Sequence, residues 1–144
     1  MGMAEVERTL VFIKPDAVAR GLVGEVIKRV EEAGLRIVAL KMLRLTNDQA
    51  EQMYAVHRGK PFYRDLVDFV SSGPIVAMVV KGRGAIRAVR ELIGATNPRE
   101  AKPGTIRADF GTGVLHNVVH ASDSTESVDH EMPIIFDPDE LVER

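Results

Sequence analysis

The chain has 144 residues, 45% of them hydrophobic, and its 19 Lys and Arg against 21 Asp and Glu leave a formal net charge of −2. That is enough apolar material for one self-sufficient domain over 1–144, and the absence of cysteine excludes disulfides and thiolate metal sites. No basic excess marks a nucleic-acid binder, no apolar run reaches bilayer length and no secretory signal opens the sequence, so the expectation is a cytoplasmic protein with no membrane and no stable nucleic-acid partner.

Residues 1–6 read as a lead-in to an apolar run of strand length at 9–13, which Lys14 ends and Pro15 bars from further pairing. A helix is predicted over 21–34, with Val23, Val26, Ile27 and Val30 on one face and Gly34 just past its end. Residues 35–45 read as a strand, giving the first half a βαβ order. Thr46-Asn47-Asp48-Gln49 has the form of a capping box. On the helix it opens, Met53 suits the core, whereas Tyr54 and His57 end in polar atoms and suit a cleft edge. Arg58-Gly59-Lys60-Pro61 breaks that helix, and a second short one carrying Phe62, Leu66, Phe69 and Val70 completes a projecting α-hairpin.

Residues 75–80 form the most apolar stretch and are expected as a central strand. Gly82-Arg83-Gly84 lacks the third glycine of a dinucleotide fingerprint and reads as a loop. The helix predicted over 85–93 buries Ile86, Val89, Leu92 and Ile93 and leaves Arg87 and Arg90 on its other side. No Walker-type phosphate loop occurs. The connection 95–115 is long, rich in Gly, Pro and Thr, and non-repetitive, which points to function; 105–110 can form one helical turn within it. Asn117-Val118-Val119-His120-Ala121-Ser122-Asp123 reads as a short strand presenting a histidine. Asp123 with Glu126 has the form of a capping box for a helix over 124–132 that Pro133 ends, followed by an edge strand at 134–136 and a helix start at 137–140.

Imidazole is a good nucleophile when neutral, and its unperturbed pKa keeps much of it neutral near pH 7. A strand-end histidine before a helix N-terminus is held firmly and lies near anion-attracting amides. Phosphoryl transfer asks for positioning and positive charge, which Lys14, Arg90 and Arg107, the Thr96 hydroxyl and the Asn117 amide would supply from separate elements. Each has an ordinary alternative: a structural histidine, a solvated lysine or arginine, a core phenylalanine at Phe62 rather than a stacking platform for a base. His116 and His120, four apart on a strand, would lie about 13 Å apart, too far to share a metal.

The strings Glu7-Arg8-Thr9, Lys14-Pro15-Asp16, Arg20-Gly21-Leu22-Val23-Gly24-Glu25, Lys60-Pro61-Phe62, Ser72-Gly73-Pro74, Gly94-Ala95-Thr96-Asn97-Pro98, Pro103-Gly104-Thr105-Ile106-Arg107 and Asn117 to Asp123 run in order over nearly the whole chain. Together they closely resemble the nucleoside diphosphate kinase family. The resemblance implies ping-pong transfer of a γ-phosphoryl group from a nucleoside triphosphate, mainly ATP, to a nucleoside diphosphate through phospho-His120, on Nδ1. Glu131 would accept a hydrogen bond from the other ring nitrogen, with Ser122 steadying Glu131. Lys14 and Asn117 would bind the ribose hydroxyl and nearby phosphate, and Arg90, Thr96 and Arg107 the outer phosphates. Phe62 would stack on the base, and Tyr54 would contact the phosphates or steady the imidazole. Mg²⁺ would arrive on the nucleotide, with no direct protein ligand. The implied fold is a ferredoxin-like sandwich: an antiparallel four-stranded sheet with helices on one face and the α-hairpin projecting. The implied assembly is a homohexamer, with a tetramer as the alternative. Val56 and His116 stand where the family commonly has an acidic residue and arginine. The rival reading is a catalytically silent ferredoxin-like regulator binding nucleotide or RNA, which would have no need of His120, Ser122 and Glu131 together.

Overall fold

The computed structural model describes residues 4–144. Strand β1 (Val6–Ile13) lies between two neighbours and is buried from Thr9 onward. It pairs antiparallel with β3 (Ile75–Arg83) on one side and with the three-residue β4 (Val119–Ala121) on the other. β2 (Arg36–Leu43) adds to the far side of β3, giving the order β2-β3-β1-β4. β3 thus separates β1 from β2, as in a split βαβ arrangement.

Side chains alternate across a strand, so the two faces of the sheet build separate layers. Val11, Ile13, Val76, Met78 and Val80 face α2 (Val23–Glu32), α5 (Ala85–Ile93) and the short α6 (Ile106–Phe110). Leu10, Phe12, Ala77 and Val79 face α3 (Asn47–Met53), α4 (Tyr63–Val70) and the end of α7 (Thr125–Ile135). Each fully buried Phe, Leu or Ile here contributes about 1.5–3 kcal/mol over leaving it in water. The expected ferredoxin-like sheet with α2 and α5 on one face is present. Its other face is covered too: the hairpin α3–α4 packs down on it through Met53, Val67 and Val70, and only its tip stands clear.

Local structure departs from the sequence reading in five places. The lead-in is shorter than expected: β1 starts at Val6, and residues 1–3 of that segment lie outside those described. Gly82 and Arg83 continue β3 instead of looping, because Glu7 and Val6 extend β1 to pair with them. Pro15 does more than end a strand: it opens a five-residue helix, α1 (Pro15–Ala19), where its missing N–H costs nothing. The cap of α7 lies one residue later than predicted. Ser124 accepts from the Ser127 amide and Ser127 returns a bond to the Ser124 amide, while Asp123 takes the Ser127 hydroxyl from outside the helix. Pro133 does not end α7, and 134–136 is not a strand. The exposed proline forfeits one helical bond, but burial of Ile135 and Phe136 in the second layer holds the last turn, closed by a 2.9 Å bond from the Phe136 amide to the Met132 carbonyl.

Candidate active site

The open end of β1 and the short β4 meet at a cleft of about 930 Å³ beneath the α-hairpin. His120 is the middle residue of β4 and sits opposite Phe12 of β1. The register lays the two rings face to face, with centroids 4.6 Å apart and planes 20° from parallel. The ring's Nε2 donates to Oε1 of Glu131 on α7 at 2.7 Å, and the Ser122 hydroxyl donates to the same oxygen at 2.8 Å. A carboxylate only accepts, so the neutral ring carries its proton on Nε2 and keeps a lone pair on Nδ1. Nδ1 lies 3.3 Å from the hydroxyl of Tyr54, which approaches edge-on from the end of α3. Burial, and next the Glu131 charge, push the Tyr54 phenol well up from its ordinary value, so it remains a donor.

Positive charge gathers beside this nitrogen. Lys14 is buried at the mouth of β1, where its Nζ donates to the Leu115 carbonyl at 2.7 Å and to Asn117 Oδ1 at 2.9 Å. Two of its three protons are thereby used. Burial lowers its pKa to about 8, with Asp16 opposing and Arg107 adding to the fall. The Asn117 amide nitrogen donates to the Thr96 carbonyl at 2.9 Å, tying the start of the long connection to its end. Arg107 on α6 is buried and donates to the carbonyls of Gly94 at 3.0 Å and Val119 at 2.7 Å, while its Nε is enclosed without a partner. Burial, then the neighbouring Arg90, lower its pKa to about 10. Arg90 on α5 reaches the Ala121 carbonyl at 3.3 Å. At the outer lip Phe62 is 48% exposed, with the His57 ring 5.2 Å away and the Lys60 ammonium 5.8 Å from its centroid.

Nine of the ten sequence-predicted site residues line this cleft, and the tenth, Ser122, stands behind it on Glu131. His116 turns away to pack on Phe69, with ring centroids 4.5 Å apart. Among the described residues no three His, Cys, Asp or Glu side chains are grouped to hold a metal ion. Sequence reasoning missed Phe12, which looked like any other core residue; only the pairing of β1 with β4 brings it under His120. It also assigned no role to Asp16, whose carboxylate accepts from the Val118 amide at 3.1 Å.

Fold and cleft chemistry together define a phosphotransferase-class enzyme. Residues 7–141 match the family model for nucleoside diphosphate kinase. The chain is 60% identical over 136 residues to the nucleoside diphosphate kinase of Archaeoglobus fulgidus, covering 94% of this chain and 90% of that one. It is 57% identical over 137 residues to that of Thermoplasma acidophilum, covering 95% and 93%. The crystal structure of the Aquifex aeolicus nucleoside diphosphate kinase superposes with a TM-score of 0.93 at 48% identity, covering 96% of this chain and all of that one. The Halobacterium salinarum enzyme in complex with CDP superposes at 0.94 with 45% identity, covering 97% and 93%. The chain belongs to the nucleoside diphosphate kinase family. Among the described residues no helix is long and apolar enough to cross a membrane.

Proposed function

We propose that this enzyme moves a γ-phosphoryl group from a nucleoside triphosphate, mainly ATP, to a nucleoside diphosphate by a ping-pong route through His120. The observation that carries the reading is the fixed tautomer: Glu131 holds the Nε2 proton, so the Nδ1 lone pair faces a cleft ringed by Lys14, Arg90 and Arg107. In the first half-reaction Nδ1 forms a bond to the γ-phosphorus as the bond from that phosphorus to the β,γ-bridging oxygen breaks. The diphosphate leaves with the electron pair. The imidazole becomes cationic, and the 2.7 Å contact to the Glu131 carboxylate stabilises that charge. The second half-reaction reverses these steps onto a new diphosphate.

Catalysis here is positioning plus charge. Lys14 and Asn117 hold the ribose hydroxyl and nearby phosphate, Arg90, Arg107 and the Thr96 hydroxyl hold the outer phosphates, and Phe62 stacks on the base. Tyr54 steadies Nδ1 before the nucleotide arrives. Mg²⁺ enters as part of the substrate, on the nucleotide's phosphate oxygens, where it neutralises charge beside Lys14, Arg90 and Arg107. The chain acts as a single domain of this kind, in the cytoplasm, assembled as a homohexamer with a tetramer as the alternative. Light scattering at micromolar concentration tests the assembly, and a monomer would refute it. Incubation with γ-labelled ATP tests the chemistry. The expected result is a protein-bound label lost in acid and retained in base, as for phosphohistidine; an unlabelled protein that still exchanges phosphate between nucleotides overturns the route.

A further inference from the structure

Val118 has φ = +78°, and it is the one described non-glycine residue at positive φ. For a β-branched residue this is a sterically disfavoured backbone. Its two neighbours are bonded across it: the Val119 amide donates to the Asn117 carbonyl at 2.9 Å. An i to i+2 bond around a centre at positive φ is the rare, strained form of the γ-turn. Strain of this kind persists only where the surroundings over-determine it.

Three anchors do so. The Val118 side chain is fully buried in the layer beneath α2 and α5. Its carbonyl accepts from the Lys14 amide at 2.8 Å. Its own amide donates to the Asp16 carboxylate at 3.1 Å. The first two anchors belong to the general packing of the sheet. The third is a single side chain, on the first turn of α1, whose other oxygen is buried without a partner.

The turn's position gives it consequence. On one side is Asn117, bonded to Lys14 and Thr96; on the other is Val119, whose carbonyl anchors Arg107, and then His120. Relaxing the turn to an extended backbone would lengthen the path between the Asn117 amide and the His120 imidazole, both of which face the cleft. We propose that Asp16 is a positioning residue for the transfer reaction: by gripping the Val118 amide it locks the strained turn that sets the spacing between the nucleotide-binding Asn117 and the nucleophilic His120. The proposal rests on the reading of His120 as the phosphoryl acceptor. Asp16 itself meets no substrate.

The test is rapid-quench phosphoenzyme formation from γ-labelled ATP, with steady-state kcat and KM, on the full chain. Asp16→Ala should slow labelling and kcat about tenfold or more while KM moves less than about threefold, since Asn117 keeps its own ties. Asp16→Asn keeps an acceptor for the amide and should restore the rate to within about threefold of wild type, which a role through charge alone would not allow. Val118→Gly removes the steric cost of positive φ. In that background Asp16→Ala should cost less than about threefold. An Asp16→Ala enzyme that labels at the wild-type rate, or an equal loss in both backgrounds, overturns the proposal. If Asp16→Ala does not fold, Asp16→Asn decides: it should fold and take label within about threefold of the wild-type rate, and a larger loss overturns the proposal. A wild-type protein that takes no label would instead refute the His120 reading and leave every variant unlabelled.

Discussion

The two ends of the cleft are built on opposite plans. At the inner end, proposed to take the phosphates, Lys14, Arg107, Asn117, Ser122 and Glu131 are buried polar groups, and each is bonded to backbone or to another site residue. At the lip, proposed to take the base, Phe62 is 48% exposed, Val114 58% and Val56 78%, and they meet solvent as apolar surface. Burying charge without partners is costly, so the inner end tolerates one arrangement only. An apolar lip imposes no such demand, and a ring face accepts any base. The difference teaches that one cleft can hold its inner wall to a single arrangement and leave its lip tolerant, and on the proposed placement of the nucleotide the enzyme is expected to be strict about the phosphate and permissive about the base.

The hardest way to break that contrast is at the nucleophile. His120→Ala should abolish both the phosphoenzyme and turnover while diphosphate binding, measured by calorimetry, survives. More than a trace of exchange in the variant would contradict the mechanism. One bond further out, Glu131→Ala frees the ring to rotate and change tautomer. It should lower kcat about a hundredfold with little change in diphosphate affinity, the size expected when a reacting group is misplaced. Glu131→Gln still accepts from Nε2 and should lose less. An equal loss in the two variants would assign Glu131 a role through charge alone.

The permissive end predicts a different signature. Phe62→Ala should weaken every nucleotide by a similar factor, about 1–3 kcal/mol for a lost stacking partner. No cluster of Asn, Gln or Asp flanks Phe62 in sequence, where the neighbours are Lys60, Pro61, Tyr63 and Arg64. A panel of acceptor diphosphates should therefore give specificity constants within roughly two orders of magnitude in the wild type. A loss confined to one base would reveal edge recognition.

The smallest effect separates folding from binding by pH. The Lys14 ammonium loses its proton at about 8 in the folded chain against an ordinary 10.5, because burial disfavours the charge. Below pH 8 both states hold the proton and the fold carries the full cost of that charge. Between about 8 and 10.5 the unfolded chain holds more protons, so this group makes stability rise with pH. Diphosphate binding needs the charged amine and should fall over the same range, by at most about tenfold per pH unit. Comparison with Lys14→Met isolates the group: denaturation and binding curves of the variant should both lose this component. Parallel movement of stability and affinity in the wild type would break the prediction.

Much of this architecture is readable from residue patterns because the sheet and its long helices bury continuous faces. The turns of Val23, Val26 and Val30, the apolar run 75–80 and the Thr46 capping box each announce one conformation. The inner end of the cleft was readable in part from residue types, with Lys14 closing an apolar run and Arg107 in a long Gly- and Pro-rich connection, and for the rest from the family resemblance. What stayed hidden depends on tertiary context. Pro133 is a helix breaker locally, and only the burial of Ile135 and Phe136 overrides it. Val118 is a strand former, and nothing in its identity signals a left-handed backbone. Phe12 differs from Leu10 only in what β4 lays over it. The helix α1 did carry a signal, since Pro15 followed by Asp16 is a good first turn, but five residues are too few to show a face.

The connection between α5 and β4 has a further property. Arg107 binds the Gly94 carbonyl, Asn117 the Thr96 carbonyl and Lys14 the Leu115 carbonyl, so the segment is stapled at its start and its finish by the same side chains proposed to hold the nucleotide. Ordering so long a segment costs entropy that grows with the logarithm of its length. Here that entropy is surrendered when the chain folds rather than when nucleotide arrives. The free enzyme is therefore expected to protect the bonded amides of this segment, those of Glu100, Thr105 and Gly111 among them, from exchange with solvent, and to show little change in that protection when a diphosphate fills the cleft. On that expectation nucleotide binding carries no ordering cost in this segment.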